Sequence, residues 1–213
     1  MKILVLGSVG LDTIETPAGK VTDVVGGSAC YFACAARYFT TVHLMSVVGT
    51  DFQAHHRAFL NDKCINLDCL TLGNGLTFRW SGFYGENLND AQTRATTLNV
   101  LETFIPQVPE QYRSLPAVFL ANFDPLSQAA VLDQLHAPRL IAADTMNLWI
   151  LTKKPELLQL LKRLHILVLN DTEAKMLTQK SNILQAAREI TRLGPSYVII
   201  KKGEHGSMMF DGK

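Results

Sequence analysis

Residues 24–36, with the sequence VVGGSACYFACAA, decide how the fold of this chain is interpreted. Two adjacent glycines, Gly26 and Gly27, open a run of small and apolar residues that is rich in alanine. Glycine permits positive φ and lets a ligand approach bare backbone, and alanine is the best helix former. The stretch predicts a glycine turn that leads into a helix, with free N–H groups of the first helical turn beside the glycines. By itself the pattern also fits a tight turn before a buried helix.

Short apolar runs alternate with helical patterns along the rest of the chain. Buried strands are predicted at 2–6, 41–48, 117–120, 140–143, 166–169, 197–200 and 207–210. Helices are predicted over 127–135, 155–164 and 182–193, and a further helix begins after residue 170. Strands that alternate with helices form parallel sheets with right-handed crossovers. The sequence therefore predicts the α/β class.

The composition narrows the class of protein. Of the 213 residues, 47% are hydrophobic and 18% are charged, which is typical of a globular α/β domain. The net charge of +1 gives no electrostatic reason to expect nucleic acid or a membrane as a partner. No signal peptide is visible, and the four cysteines contain no CxxC pair and are expected to be reduced thiols. A cytoplasmic protein is expected.

Polar residues follow several of the predicted strands. In open parallel sheets the carboxyl ends of the strands lie along one edge, where such sheets bind ligands. The residues expected there are Asp12, Asn122, Asp144, Asn170, Glu173 and Gly203. Asp12 is expected just past the carboxyl end of the first strand, and it either binds a ligand or forms an Asx turn.

Three connecting segments carry further expectations. Residues 13–25 are predicted to form a hairpin. The segments 67–72 and 77–84 are predicted to pair as a second hairpin around Gly73-Asn74-Gly75, and 87–97 to form a loop or short helix. Asp51 is predicted to be the N-cap of the helix that follows the 41–48 strand.

The order of these features resembles the ribokinase-like (PfkB) family of carbohydrate and nucleoside kinases. The resemblance covers the whole chain. It implies a three-layer α/β/α fold over 1–213, with a mostly parallel sheet and a small β lid formed by segments 13–25 and 76–97. The motifs that carry it are Asp12, the Gly26-Gly27 pair, 48–51 (VGTD, like VGxD), 170–173 (NDTE, like NxxE) and 202–206 (KGEHG, like GxxG).

The resemblance implies an ATP-dependent phosphotransferase that acts on a hydroxyl of a sugar or nucleoside. ATP and Mg²⁺ are the implied cofactors, and a homodimer formed through the lid is the implied assembly. The implied substrate-binding residues are Asp12, Gly26, Gly27, Ser28 and Asn122. The implied nucleotide-binding residues are Asn170, Lys201, Gly203 and Gly206, and Glu173 is the implied metal residue.

The sequence departs from the family pattern at three places. Tyr31 stands where the family usually has Asn, and Ala54 stands where the VGxD segment continues to Gly. The GAGD motif, which carries the family's catalytic Asp, has no counterpart among the 213 residues. No catalytic residue is therefore assigned, and the chain is expected to be an incomplete kinase that is inactive by itself.

Other interpretations stay open. A non-catalytic module that binds a sugar or nucleoside fits the same motifs. A dinucleotide-binding domain would need an acidic residue about 20 positions after the first glycine turn. Asp23 lies within reach of that spacing, but no βαβ unit is predicted around it. The aromatic residues Tyr31, Phe78, Trp80 and Phe83 either stack on a nucleobase or fill the core of the lid.

Overall fold

The computed structural model describes residues 2–86 and 91–212. The chain divides into two compact units, Met1–Pro109 and Glu110–Lys213. Within the described residues, no helix is long and apolar enough to cross a membrane.

The first unit contains a parallel sheet and a separate four-stranded sheet. Its elements are β1 (Lys2–Leu6), β2 (Gly10–Thr16), β3 (Gly19–Gly26), α1 (Ser28–Ala36), β4 (Thr41–Val48), α2 (Ala54–Asn61), β5 (Leu70–Leu72), β6 (Phe78–Tyr84) and β7 (Ala91–Thr97), followed by a 3₁₀ turn at Asn99–Leu101. Strand β4 pairs in parallel with β1 and with β5. Strands β1 and β4 are apolar runs buried along nearly their whole length, as strands of parallel sheets are.

The four-stranded sheet has the strand order β3-β2-β6-β7. The hairpin predicted over 13–25 is confirmed, because β2 and β3 pair antiparallel. Strand β2 also pairs in parallel with β6, and β6 pairs antiparallel with β7. A hairpin, and no helix, follows β1 and its glycine turn, so this turn does not belong to the βαβ unit that a dinucleotide fingerprint needs.

Two predictions about the connecting segments are wrong. Strand β5 does not pair with β6, because residues 73–75 bond to the end of β4: the Gly73 N–H donates to the Val48 carbonyl and the Thr50 N–H to the Gly75 carbonyl (both 2.8 Å). Residues 91–97 form strand β7 despite their polarity, since threonine suits a strand and β6 offers a free edge. The remaining residues of the predicted 87–97 loop, 87–90, lie outside the described residues.

Asp51 is not the N-cap of α2. That helix begins at Ala54 with Gln53 as its N-cap, and the Gln53 N–H donates to Nδ1 of His56 (3.1 Å). The Asp51 carboxylate instead accepts the N–H (2.7 Å) and the hydroxyl (2.6 Å) of Thr77, and the Arg79 guanidinium (2.9 Å). It thereby fixes the start of β6.

The second unit is a β/α alternation. Its elements are β8 (Ala117–Leu120), α3 (Pro125–Asp133), β9 (Leu140–Asp144), α4 (Asn147–Thr152), α5 (Lys154–Leu161), β10 (Ile166–Asn170), α6 (Asp171–Thr178), α7 (Ile183–Arg192), β11 (Tyr197–Lys201) and β12 (Ser207–Asp211), with 3₁₀ turns at Glu110–Tyr112 and Gly203–His205. Strands β8, β9, β10 and β11 pair in parallel in that order, and β12 pairs antiparallel with β11.

The predicted strands and helices of this unit are confirmed to within a few residues. Helix α4 was not predicted, because it has only six residues and no side-chain cap at its start. The core of the unit consists of aliphatic side chains with almost no exposed surface, namely Leu120, Leu157, Leu160, Leu161, Leu167 and Leu169. Burial of such side chains is the main stabilising contribution to the unit.

Candidate functional site

Asp12 lies inside strand β2, and its side chain is buried. The residue is 5% exposed, so the expectation that it follows the end of a strand, as a ligand residue or an Asx turn, is wrong about its position. The Asp12 carboxylate accepts the backbone N–H of Gly27, but its Oδ1 has no hydrogen-bond partner among the described residues. A buried carboxylate oxygen without a donor is costly, and a ligand hydroxyl is the kind of group that would satisfy it.

Burial raises the pKa of Asp12 from 3.8 to about 6, and the Gly27 N–H opposes this shift. Because desolvation disfavours the charged form, a donor that reaches the carboxylate recovers part of that cost. Strongly perturbed acidic groups of this kind cluster at functional sites.

The two glycines of the Gly26-Gly27 pair are required for different reasons. A Cβ atom on Gly26 would overlap the Asp12 carboxylate, so Gly26 leaves room for that side chain. Gly27 has φ of 95°, in the region that favours glycine, and a Cβ there would overlap the Ser8 carbonyl. The pair therefore both seats Asp12 and turns the chain into α1.

Ser8 engages the start of helix α1, which the sequence did not predict. The Ser28 N–H donates to Ser8 Oγ (3.0 Å), and the Ala29 N–H donates to the Ser8 carbonyl (3.1 Å). The hydroxyls of Ser8 and Ser28 lie 3.1 Å apart. The N–H groups of Ser28 and Ala29 at the start of α1 are thus not free, contrary to expectation. The one sequence feature that could have indicated Ser8 is the Gly7-Ser8 turn after β1.

Asn122 was predicted to bind substrate with Asp12, and the structure places it in the second unit. It follows β8, and the Trp149 indole N–H donates to Asn122 Oδ1 (2.7 Å). Asn122 Nδ2 also lies 3.0 Å from the Met146 sulfur. The structure brings Asp12, Gly26, Gly27 and Ser28 together and groups Asn122 with Trp149 and Met146.

The NxxE motif forms the N-terminal capping box of helix α6. The Glu173 N–H donates to Asn170 Oδ1, and the Asn170 N–H donates to Glu173 Oε2, both at 2.7 Å. This arrangement satisfies two backbone donors that a helix start leaves open. It also fixes Glu173 in a buried position at the carboxyl end of β10, with a second carboxylate oxygen outside the capping pair.

A buried carboxyl group, a partly exposed one and a lysine lie at this end of the second unit. Burial raises the pKa of Glu173, the Asn170 N–H opposes the shift, and the Asp144 charge adds to it. Burial also raises the pKa of Asp144, whose Oδ2 lies 4.0 Å from Lys201 Nζ. Lys201 is the direct partner of Asn170 in the β10–β11 pairing, so four polar groups come from three adjacent strand ends.

The loop after β11 is closed by its own backbone. The Lys202 N–H donates to the Gly206 carbonyl (2.8 Å), and the Gly206 N–H donates to the Gly203 carbonyl (3.1 Å). Gly206 has φ of 78° and open space where a side chain would be. The loop therefore presents bare backbone next to Lys201.

The donor set of the second unit fits a magnesium–nucleotide complex. Within the described residues there is no group of three or more His, Cys, Asp or Glu that could enclose a metal. Mg²⁺ does not require one, because it keeps several waters and is usually held by one or two carboxylates and the substrate phosphates. Glu173 and Asp144 are the carboxylates that could hold it, and Lys201 is the cation that could meet phosphate.

Comparison with known proteins finds similar kinases. No profile of a known protein family matches the chain. Cytidine kinase from Thermococcus kodakarensis is 26% identical over 217 residues, covering 100% of this chain and 77% of that kinase. The Cryptococcus neoformans ribokinase, solved with ADP, has a TM-score of 0.79 at 18% identity, over 99% of this chain and 76% of its own. Burkholderia thailandensis nucleoside kinase, solved with inosine, has a TM-score of 0.78 at 16% identity, over 98% and 72%.

The protein has the ribokinase-like α/β fold, which confirms the predicted fold class. The similarity to the cytidine kinase extends along the whole chain, and solved nucleoside kinases and ribokinases share its fold.

Proposed function

We propose that this chain binds ATP and a sugar or nucleoside and that it is a kinase, which transfers a phosphoryl group to a hydroxyl of that acceptor. The observation that carries the proposal is the buried Asp12 carboxylate, whose Oδ1 lacks a partner in the described part of the chain. A sugar hydroxyl is a neutral donor that such a carboxylate binds strongly, since hydrogen bonds to charged groups exceed ordinary ones. Gly26 leaves the room that this carboxylate occupies, because a Cβ atom there would overlap it.

The phosphate donor is assigned to the second unit. Lys201 supplies positive charge, and the Gly203–Gly206 loop supplies backbone that a nucleotide can lie against. Asn170 holds Glu173 through the capping box, so Glu173 is the residue that would hold the metal, with its side chain already fixed. When bound, Mg²⁺ would neutralise charge on the phosphates.

The reaction forms a bond between the acceptor oxygen and the γ-phosphorus while the bond from that phosphorus to the leaving oxygen of ADP breaks. The acceptor hydroxyl gives up its proton to a base. Because the GAGD motif has no counterpart in the sequence, no residue is assigned to that step. Positioning and charge neutralisation account for most of the catalysis in such transfers, and the residues named above serve those two roles.

Three further points belong to the proposal. We assign the four-stranded sheet as a lid over the acceptor. We also propose that two copies of the chain form a homodimer through this sheet. The four cysteines are free thiols, which is typical of the reducing cytoplasm, and we assign the protein to that compartment. Asn122 Oδ1 accepts the Trp149 indole N–H. Asn122 therefore binds substrate through this oxygen only if that hydrogen bond breaks.

The test combines binding with turnover. Calorimetry with a panel of sugars and nucleosides, and separately with a non-hydrolysable Mg²⁺–ATP analogue, should show binding of at least one acceptor and of the nucleotide. Phosphate-ester formation from ATP is then followed with the acceptor that binds. Binding of both ligands without any ester would favour the non-catalytic module. Absence of acceptor binding would refute the assignment of Asp12.

A further inference from the structure

Aromatic side chains share a face of the four-stranded sheet with Asp12. Asp12 of β2 and Trp80 of β6 are direct partners in the parallel pairing, so their side chains leave the sheet on the same face. Tyr84 lies four residues further along β6 and therefore on that face too. Its ring meets the Trp80 ring edge-on, with centroids 6.4 Å apart and an interplanar angle of 68°.

The Trp80 indole is held flat against the sheet. A Cβ atom on Gly82 would overlap the six-membered ring of Trp80, which shows that the ring lies directly over that glycine. The indole N–H donates to Thr93 Oγ1 of β7 (3.2 Å). A ring fixed in this way loses little conformational freedom when a ligand binds to it.

Tyr31 approaches the same space from helix α1. It lies three residues after Ser28, and it is 61% exposed. Burial is the main cause that raises the pKa of the Tyr31 phenol, and the charges of Asp12 and Tyr84 add to the shift. The backbone also places Tyr31 near Asp12, because the Tyr31 N–H donates to the Gly27 carbonyl (3.2 Å) and the Gly27 N–H donates to the Asp12 carboxylate.

Exposure argues against the view that these rings only fill a core. Trp80 and Tyr84 are half-buried, and Tyr31 is exposed. Phe83 projects from the opposite face of β6 and stacks with the Arg94 guanidinium, 4.9 Å from its ring centroid. Phe78 lies on the same face as Trp80, and its ring packs over Gly10. We name the group formed by Trp80, Tyr84 and Tyr31 the aromatic wall.

We propose that the aromatic wall binds the planar base of a nucleoside whose sugar hydroxyls bind at Asp12, so that the acceptor is a nucleoside and not a free sugar. This inference rests on the proposed function of Asp12. Every nucleobase offers a π face on which aromatic side chains can stack, whereas a free sugar offers none. Tyrosine and tryptophan give large contact area for few rotatable bonds.

The test compares ligands that share a sugar and differ in the base. Calorimetry on the full chain uses cytidine, inosine and methyl β-ribofuranoside. At least one nucleoside should bind about tenfold or more tightly than the riboside. Tyr31→Ala and Tyr84→Ala should each weaken that nucleoside by about five- to a hundredfold and leave the riboside unchanged. Tyr38→Ala, at a 72% exposed tyrosine just past the same helix, should change neither ligand.

The outcomes separate this inference from the proposed function. Equal affinities for nucleoside and riboside, or an unchanged nucleoside affinity in Tyr31→Ala, overturn the proposal that the aromatic wall binds a base. If Asp12→Asn still weakens both ligands in that case, the proposed function of Asp12 stands. If Asp12→Asn changes neither ligand, or neither ligand binds, the proposed function fails and the inference fails with it. The comparison of ligands on the parent protein needs no variant to fold.

Discussion

Replacing Asp12 by Asn should stabilise the ligand-free protein while removing its acceptor binding. Burial raises the pKa of Asp12 from 3.8 to about 6, against the opposing Gly27 N–H. A group whose pKa is higher in the folded than in the unfolded state binds more protons when folded, so stability falls as the pH rises between about 4 and about 6. At neutral pH the folded protein therefore carries an unfavourable charge that Asn would not carry.

The magnitude follows from the shift. One pKa unit corresponds to about 1.36 kcal/mol, so the ionised Asp12 lowers the free energy of unfolding by about 3 kcal/mol above pH 6. Asn has nearly the same volume, and its oxygen can still accept the Gly27 N–H. Its amide protons also need partners, which makes about 3 kcal/mol an upper limit. The expected gain is about 1–3 kcal/mol at pH 7.5 and close to zero below pH 4.

Urea unfolding of parent and variant from pH 4 to pH 8 measures this difference. Every other carboxyl group is common to both proteins, so the difference between the two curves isolates Asp12. Asp62→Asn, at an exposed position after α2, is the matched control for the loss of one carboxyl group. A difference that is flat across this range, or a parent that is the more stable protein at pH 7.5, would refute the reasoning.

Four further results are expected. Acceptor affinity should fall about tenfold per pH unit below about pH 6, as protonation removes the Asp12 carboxylate; calorimetry that shows constant affinity from pH 5 to 7.5 would contradict this. Gly27→Ala should destabilise the fold by about 1–3 kcal/mol because of its positive φ, whereas Gly26→Ala should mainly displace Asp12 and weaken acceptor binding. Urea unfolding measures the first effect and calorimetry the second. Equal unfolding of both variants would count against these different roles of the two glycines. Glu173→Gln should keep the capping box and weaken only Mg²⁺-dependent nucleotide binding. Glu173→Ala should in addition lose about 0.5–2 kcal/mol of stability, because the cap is removed. Equal urea unfolding midpoints for the two variants would contradict the capping role. Asp51→Ala should cost about 1–3 kcal/mol, because the Thr77 N–H and hydroxyl lose a largely buried acceptor; a urea midpoint like that of the parent would exclude this role.

Apolar patterns made most of the fold predictable. The strands of the second unit are continuous apolar runs such as residues 166–169, whose burial in a parallel sheet needs no long-range knowledge. Asn170 and Glu173 were recognised as a pair at a strand end, and their capping box is a local interaction that three-residue spacing fixes. Predictions of this kind hold because the deciding contacts lie within a few residues.

The rest depended on contacts between distant segments. The pairing of β6 with β2 brings together residues nearly 70 positions apart, and nothing local to 77–84 indicates it. The role of Asp51 is set by Thr77, and the start of α1 is set by Ser8, 20 residues earlier. The unpartnered oxygen of Asp12 follows from burial by several elements, which the sequence alone does not reveal.

A double titration decides whether the chain carries an acceptor site at Asp12 and a nucleotide site at Glu173 and Lys201. Parent, Asp12→Asn and Glu173→Gln are each titrated with a nucleoside and with a non-hydrolysable Mg²⁺–ATP analogue. Asp12→Asn should weaken the nucleoside by about ten- to a hundredfold and leave the nucleotide unchanged, and Glu173→Gln should do the reverse. Loss of both ligands in either folded variant, or no binding of either ligand to the parent, would contradict the proposal.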